Sequence, residues 1–291
     1  MSGDRRVPRA PRPVIHPTLL NAPADSRWAN LGWWTPATTT YPDAARALAH
    51  EVGVAAGLRP GDVVVDVACG HGDSLAHWVH AFGAARVVGV EPDPALGAAV
   101  RARVAAWGLA DRITVVTATA EAFDLTREAP EATAVVCVDA AYHFRTRAAW
   151  LHRLAADAAP GTRLGFTDLA LLAPQPSASL RRMAEWAGIP TENLWPIGAI
   201  IPTLEAVGFE AVQVLGAGTT VLDGFRTFAR RARGRWLLRP HRGGWQALAT
   251  AAMLSRLRPS LTMVRVGARV GLASVAGRGA ARPGQRTTGW G

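Results

Sequence analysis

Short apolar runs alternate with helical segments between residues 63 and 168, and this alternation limits the fold more than any other feature. The first run, Val63–Val67, precedes a glycine-bearing loop and a helical segment that ends near Gly83. Four further runs follow, at residues 86–90, 113–117, 134–138 and 163–168. Apolar strands that alternate with helices are typical of a parallel sheet covered on both faces. The pattern therefore predicts an α/β fold.

The regular alternation of strands and helices ends after residue 168. Residues 210–215 predict a sixth strand and residues 272–276 a seventh, whereas 174–205 and 222–266 are interpreted as helical insertions that cap the sheet. The expected organisation is one domain at 27–280 with an aromatic lid at 27–41, a flexible Pro- and Arg-rich lead at 1–26 and a flexible tail at 281–291.

All 32 basic side chains are arginine, because the sequence contains no lysine. A P-loop needs a lysine on the nucleotide phosphates, and pyridoxal enzymes and Schiff-base aldolases need a lysine amine. These classes of protein are excluded. The two cysteines, Cys69 and Cys137, form no CxxC pair, so neither a disulfide framework nor a metal site is indicated.

Positive charge is concentrated in the C-terminal quarter. Residues 221–291 contain fourteen arginines and one acidic residue, Asp223, whereas acidic residues exceed basic ones in residues 21–220. This predicts either contact with an anionic membrane surface or biased residue usage on solvated faces. Nucleic acid is not expected, since no known binding module is present. Without a signal peptide or a spanning apolar stretch, the expected location is cytoplasmic, with or without peripheral membrane contact.

The loop after the first predicted strand has the features of a ligand site. It runs from Asp66 to Gly72, and ligands of open α/β sheets bind beyond the carboxyl ends of the strands. Glu91 ends the next strand, where a carboxylate can accept hydrogen bonds from ribose hydroxyls. A dinucleotide fingerprint would need glycine in place of Asp73, which disfavours a nicotinamide oxidoreductase. S-adenosylmethionine has a cationic amino group and no phosphate, so acidic residues favour it.

Four motifs occur in order along the chain. They are Asn30-Leu-Gly-Trp-Trp34 with Thr38–Tyr41, the loop Asp66–Gly72, Val90-Glu-Pro-Asp93, and Ala141-Tyr-His-Phe-Arg-Thr-Arg147. Over roughly residues 28–215 the chain resembles class I S-adenosylmethionine-dependent small-molecule methyltransferases, in the subgroup of the tocopherol and natural-product sugar O-methyltransferases. The resemblance implies a Rossmann-like fold, S-adenosylmethionine as cofactor and methyl transfer to a small-molecule acceptor, at a hydroxyl oxygen.

The resemblance also implies the residues that contact the cofactor. Ala68 stands where the family has the first glycine of its loop. Thr119 stands where the family often has an acid that receives the adenine amino group, which leaves a backbone carbonyl or Glu121 for that contact. The expected cofactor-binding residues are Asp66, Ala68, Cys69, Gly70, Gly72, Glu91, Pro92, Thr119, Ala120, Glu121 and Asp139.

A hydroxyl acceptor needs a general base as it attacks. His143 follows the fourth predicted strand and Asp168 ends the fifth, so both are expected at the ligand edge of the sheet. The resemblance implies His143 as the base and Asp168 as its orienter or an alternative base; pocket lining or an ion pair with an arginine are the other interpretations. The expected substrate and lid residues are Trp33, Trp34, Thr40 and Tyr142.

Alternatives of other kinds stay open. The closest is N- or C-methyl transfer on a small or lipid-soluble metabolite. A catalytically silent cofactor-binding or membrane-surface protein would follow if Ala68 and Thr119 had disabled the site. The basic amphipathic segment near 225–239 is interpreted as a cap whose Phe225, Phe228 and Trp236 face the active site, or as a helix that docks on anionic lipid. The acceptor and the oligomeric state are not indicated.

Overall fold

The structure, a computed structural model, describes residues 20–21, 24–238 and 242–272. The predicted tail and nearly all of the predicted lead lie outside this part of the chain, and so do residues 273–276 of the predicted seventh strand. None of the helices in the described part meets the length and hydropathy needed to cross a membrane.

One mixed sheet lies at the centre of the described residues. Its strands are β1 (Val63–Val67), β2 (Arg86–Glu91), β3 (Ile113–Thr117), β4 (Ala134–Cys137), β5 (Arg163–Leu171), β6 (Trp195–Pro196), β7 (Phe209–Gly216) and β8 (Leu261–Val270). The longer strands lie in the order β3-β2-β1-β4-β5-β8-β7, and the two-residue β6 pairs with the end of β5. Among these strands β8 alone runs in the opposite direction, so its pairs with β5 and β7 are antiparallel and the other pairs are parallel. The predicted mostly parallel α/β fold is confirmed.

Helices cover both faces of this sheet. They are α1 (Tyr41–Ala55), α2 (Asp73–Phe82), α3 (Pro94–Ala106), α4 (Leu125–Glu128), α5 (Arg147–Asp157), α6 (Ala178–Trp186), α7 (Ile200–Val207), α8 (Gly224–Leu238) and α9 (Arg242–Leu257). Successive side chains of a strand point to opposite faces. Val64 accordingly joins a core with α1, α2, α8 and α9, whereas Val65 joins a second core with α5 and α7.

The last strand lies elsewhere than the sequence predicts. It is β8, most of which falls inside the predicted cap insertion 222–266, and Leu272 at the start of the predicted strand is 77% exposed. Arginines at positions 265 and 269 hide the apolar pattern of β8. Arg265 is accommodated by an ion pair with Glu51 of α1, and the Nε atom of Arg269 lies 3.9 Å from Glu210 of β7. The second cap insertion therefore ends before Leu261.

Candidate active site

The carboxyl ends of β1 and β4 open onto a cleft. It holds about 550 Å³ of free space, including the part open to solvent. Its walls are residues 27–30 of the predicted lid, Asp66 with residues 68–74 after β1, and residues 138–140 after β4. The topology thus brings the loop Asp66–Gly72 and Asn30 of the lid motif to one cavity, next to the residues that precede the Ala141–Arg147 motif.

Two glycines give the loop after β1 its shape. Gly70 and Gly72 have φ angles of 55° and 84°, in the left-handed region that favours glycine. A Cβ on Gly70 would have no atom within 4 Å, whereas one on Gly72 would lie 2.6 Å from Val100. No side chain therefore separates the Gly70 backbone from the cleft. Gly72 allows the close approach of α2 and α3. Cys69 is buried behind them, and its N–H donates to the Val90 carbonyl at 3.0 Å.

Glu91 does not line the cleft, but its carboxylate lies against the loop after β1 and keeps the capacity to bind a ribose diol. Its side chain is buried, and each carboxylate oxygen accepts one backbone N–H, from Gly70 at 3.1 Å and from Asp93 at 3.0 Å. A carboxylate oxygen has two lone-pair sites, so each keeps capacity for a hydroxyl donor. Burial raises the pKa of Glu91. Pro92, between Glu91 and Asp93, is exposed.

Asp66 is a buried carboxylate at the inner wall of the cleft. The Trp78 indole donates to it at 2.7 Å, and the Ser74 hydroxyl is a second partner. Burial raises the pKa of Asp66 to about 6. A cationic amino group in the cleft would favour the ionised form, so this residue fits the charged end of S-adenosylmethionine.

Ala68 has a left-handed backbone conformation. Its φ angle is 62°, which costs a residue with a Cβ roughly 1–2 kcal/mol relative to the right-handed region. The loop thus accommodates alanine with local strain, in a backbone conformation that glycine would adopt without it.

Replacing Ala68 by glycine is expected to raise the free energy of unfolding by up to about 1 kcal/mol, because relief of this strain exceeds the added chain entropy. The matched control is Ala98→Gly in the exposed part of α3, which should lower it by roughly 1 kcal/mol. Urea denaturation of both variants measures the difference. A loss at position 68 as large as that at position 98 would contradict the strain.

The residues after β3 lie apart from the cleft walls. The Thr119 hydroxyl accepts from the Ala122 N–H at 3.3 Å, and Ala120 is buried in the second core. The Glu121 carboxylate accepts from the Thr146 N–H at 3.2 Å, which ties this loop to the start of α5. Their predicted contact with the adenine group stays a prediction.

Asp139 connects the lid to the turn after β4. It has a φ angle of 54°, and its two carboxylate oxygens accept from the Leu31 N–H and from the Tyr142 hydroxyl, both at 2.7 Å. Burial raises the pKa of Asp139 to about 6. The predicted lid is therefore fastened by a carboxylate that also lines the cleft.

Trp34 of the lid lies on the helical cap, whereas Trp33 lies against strand β8. Trp34 stacks on Phe228 of α8 with ring centroids 4.6 Å apart, and a Cβ on Gly224 would overlap the Trp34 side chain. Trp33 is half-buried beneath the Arg265 guanidinium, 6.0 Å from its ring centroid. Thr40 is the N-cap of α1, where its hydroxyl accepts from the Asp43 N–H. Residues 27–30 line the cleft, whereas Trp33 and Trp34 do not.

His143 lies on a 3₁₀ turn, Ala141–His143, that follows β4. Its ring is partly buried, and its Nδ1 lies 3.2 Å from the Gly188 carbonyl oxygen. Burial lowers the pKa of His143, which favours the neutral imidazole. A carbonyl can only accept, so Nδ1 carries the proton and Nε2 carries the lone pair.

Asp168 does not bond to His143 in the structure. Its carboxylate pairs with the buried Arg147 guanidinium and accepts from the Leu169 N–H at 2.8 Å. The Trp195 ring covers the guanidinium at 3.9 Å from its centroid. Burial raises the pKa of Asp168 to about 6, and Arg147 opposes this shift. Of the interpretations open on the sequence, the ion pair with an arginine is the contact observed.

Asn193 is a site residue that the sequence analysis missed. It is buried, and its amide donates to the carbonyls of Tyr142 at 3.2 Å and Phe144 at 2.6 Å, on either side of His143. Its oxygen accepts from the Arg147 N–H at 3.1 Å. With Gly188, this part of the predicted cap 174–205 fixes the turn that carries His143.

Comparisons with known proteins bear on the domain and on the fold. Residues 64–161, about a third of the chain, match the model of a methyltransferase domain family. Erythromycin 3''-O-methyltransferase of Saccharopolyspora erythraea is 26% identical over 254 residues, which cover 83% of this chain and 78% of that protein.

Solved structures share the fold. The [4+2]-cyclase SpnF superposes with a TM-score of 0.68 at 17% identity, covering 83% of this chain and 88% of its own. A SAM-dependent methyltransferase from Geobacter sulfurreducens in complex with S-adenosyl-L-homocysteine gives a TM-score of 0.56 at 18% identity, with coverage of 87% and 96%. The domain match and the 26% identical relative support a small-molecule S-adenosylmethionine-dependent methyltransferase, and the solved structures show the same fold.

Proposed function

We propose that this enzyme methylates a hydroxyl oxygen, with His143 as the general base. The observation that carries the proposal is the contact between His143 Nδ1 and the Gly188 carbonyl, which leaves Nε2 as a proton acceptor on a neutral ring. A hydroxyl must lose its proton as it is methylated, whereas a neutral amine attacks through its own lone pair. The 3''-O-methyltransferase named above supports oxygen as the acceptor atom.

The residues divide into two groups by task. Asp66 and Glu91 would hold the amino group and the ribose of S-adenosylmethionine, which when bound supplies an electrophilic methyl group. His143 Nε2 takes the proton of the acceptor hydroxyl. Asn193 and the Gly188 carbonyl hold the histidine in place, and residues 27–30 exclude water from the cleft.

Asp168 acts in this proposal through Arg147. Its carboxylate neutralises the guanidinium at the start of α5, the helix that begins four residues after His143. Arg147 in turn donates its backbone N–H to Asn193. Asp168 is thus a positioning residue, not a second base.

The experiment that tests the acceptor atom is a product analysis. Incubation with a ¹³C-methyl donor and a panel of hydroxylated natural products, each paired with its amino analogue, is expected to label only oxygen. Heteronuclear NMR separates O-methyl from N-methyl and C-methyl carbons by chemical shift. Preferential labelling of the amino analogues, or of carbon, would overturn the assignment to oxygen and leave the methyltransferase assignment intact.

A further inference from the structure

The exposed face of the hairpin α8–α9 combines arginines with apolar side chains. Arg230, Arg231 and Arg233 are all exposed on α8. Leu237 at the end of α8 is 48% exposed, and Trp245 at the start of α9 is 55% exposed. These five side chains, here called the hairpin face, lie on two helices that pack against each other.

The opposite side of α8 packs in the protein core. Phe225, Ala229, Ala232 and Trp236 are buried, and Phe228 stacks on Trp34 of the lid. Packing inside the protein therefore does not explain Leu237 and Trp245, which point away from that core. What remains exposed is a set of arginines beside one Trp and one Leu side chain, and these are the groups that bind anionic headgroups and enter the boundary between headgroups and acyl chains.

Local acids do not neutralise the hairpin face. The sequence has no acidic residue after Asp223. Asp223 itself is bonded to Arg226 at 2.7 Å and to Arg258 at 3.1 Å. The three arginines of the hairpin face therefore add to a positive field that complements an anionic surface.

We propose that the hairpin face docks on an anionic lipid surface. Arginines would bind lipid phosphates, while Trp245 and Leu237 would enter the headgroup region, where an indole finds both apolar and polar partners. A nucleic acid would satisfy the arginines only, and it would leave the two apolar side chains in water. Because Phe228 of the same helix carries the Trp34 ring, docking would bring the lid side of the enzyme to the membrane.

The test is sedimentation of the full-length protein with vesicles. Wild type is expected to bind phosphatidylglycerol–phosphatidylcholine vesicles at low salt, to release them at high salt, and not to bind pure phosphatidylcholine. The triple variant Arg230→Gln, Arg231→Gln, Arg233→Gln should lose roughly 100-fold in partition coefficient, because each arginine near an anionic surface contributes about fivefold. The matched control changes the exposed Arg46, Arg59 and Arg127 to Gln, which removes the same charge elsewhere.

A second pair of variants tests the apolar part. Trp245→Ala should weaken vesicle binding, whereas Trp186→Ala, at a tryptophan 70% exposed on α6, should not. If the two triple variants lost vesicle binding equally, net charge alone would account for the binding, and the proposed docking face would be wrong. The proposal would also fall if wild type ignored anionic vesicles, or if duplex DNA bound to it in their place and displaced them. Thermal melts of all variants show that each one folds.

Discussion

His143→Ala is expected to lower kcat by about 10²–10⁴-fold, the usual contribution of a positioned general base. The affinity for S-adenosylhomocysteine should be unchanged, because His143 is not part of the cleft walls formed by residues 27–30, 68–74 and 138–140. Single-turnover assays and calorimetric titration measure the two quantities separately. A matched control is His152→Ala, at an exposed histidine of α5, which should leave both unchanged.

The pH profile adds an independent readout. Burial lowers the pKa of His143, so kcat should fall only on the acid side of the ordinary histidine range, where the ring gains a proton and Nε2 stops accepting one. His143→Gln should remove this acid limb. If the alanine variant kept wild-type turnover and the acid limb persisted, His143 would not be the group that accepts the proton. The base would then have to be sought elsewhere.

The central strands could be predicted from sequence because their signals are local. Val63–Val67 has the predicted bounds, and Ala134–Cys137 is one residue shorter than predicted. Each is a short, mostly apolar run buried on both faces of the sheet, and this signal requires nothing further from distant residues. The cleft follows from this topology, because the loops after β1 and β4 meet at the same edge of the sheet.

The missed features depend on contacts between distant parts of the chain. β8 carries Arg265, whose ion-pair partner Glu51 is more than 200 residues away, so its pattern does not read as a buried strand. Asn193 lies on a short 3₁₀ turn in an irregular segment, and nothing near it in sequence shows that it bridges the carbonyls around His143. The identity of the arginine that pairs with Asp168 likewise could not be predicted from neighbouring residues. Arg147 belongs to the Ala141–Arg147 motif, which was singled out for its histidine.

Arg147→Met is expected to be the most destabilising single change near the site. It would leave Asp168, 2% exposed, without the guanidinium that neutralises it, and loss of one partner of a buried ion pair costs about 3–5 kcal/mol. The double variant Arg147→Met, Asp168→Leu should recover most of this stability, because no uncompensated charge remains. Arg86→Met, which breaks the exposed pair with Glu131, is the matched control and should cost less than about 1 kcal/mol.

The loss should depend on pH with a definite sign. Without Arg147 the folded-state pKa of Asp168 rises further above its unfolded value of about 3.9, so folding increasingly disfavours the ionised form. The difference between wild type and Arg147→Met should therefore shrink as the pH falls through about 6, the folded-state pKa of Asp168 in wild type, because below it the folded carboxyl is protonated in both proteins. It should be largest near neutral pH. Urea denaturation at several pH values measures it. A loss that did not vary with pH would mean that Arg147 stabilises through packing against Trp195 rather than through the charge of Asp168.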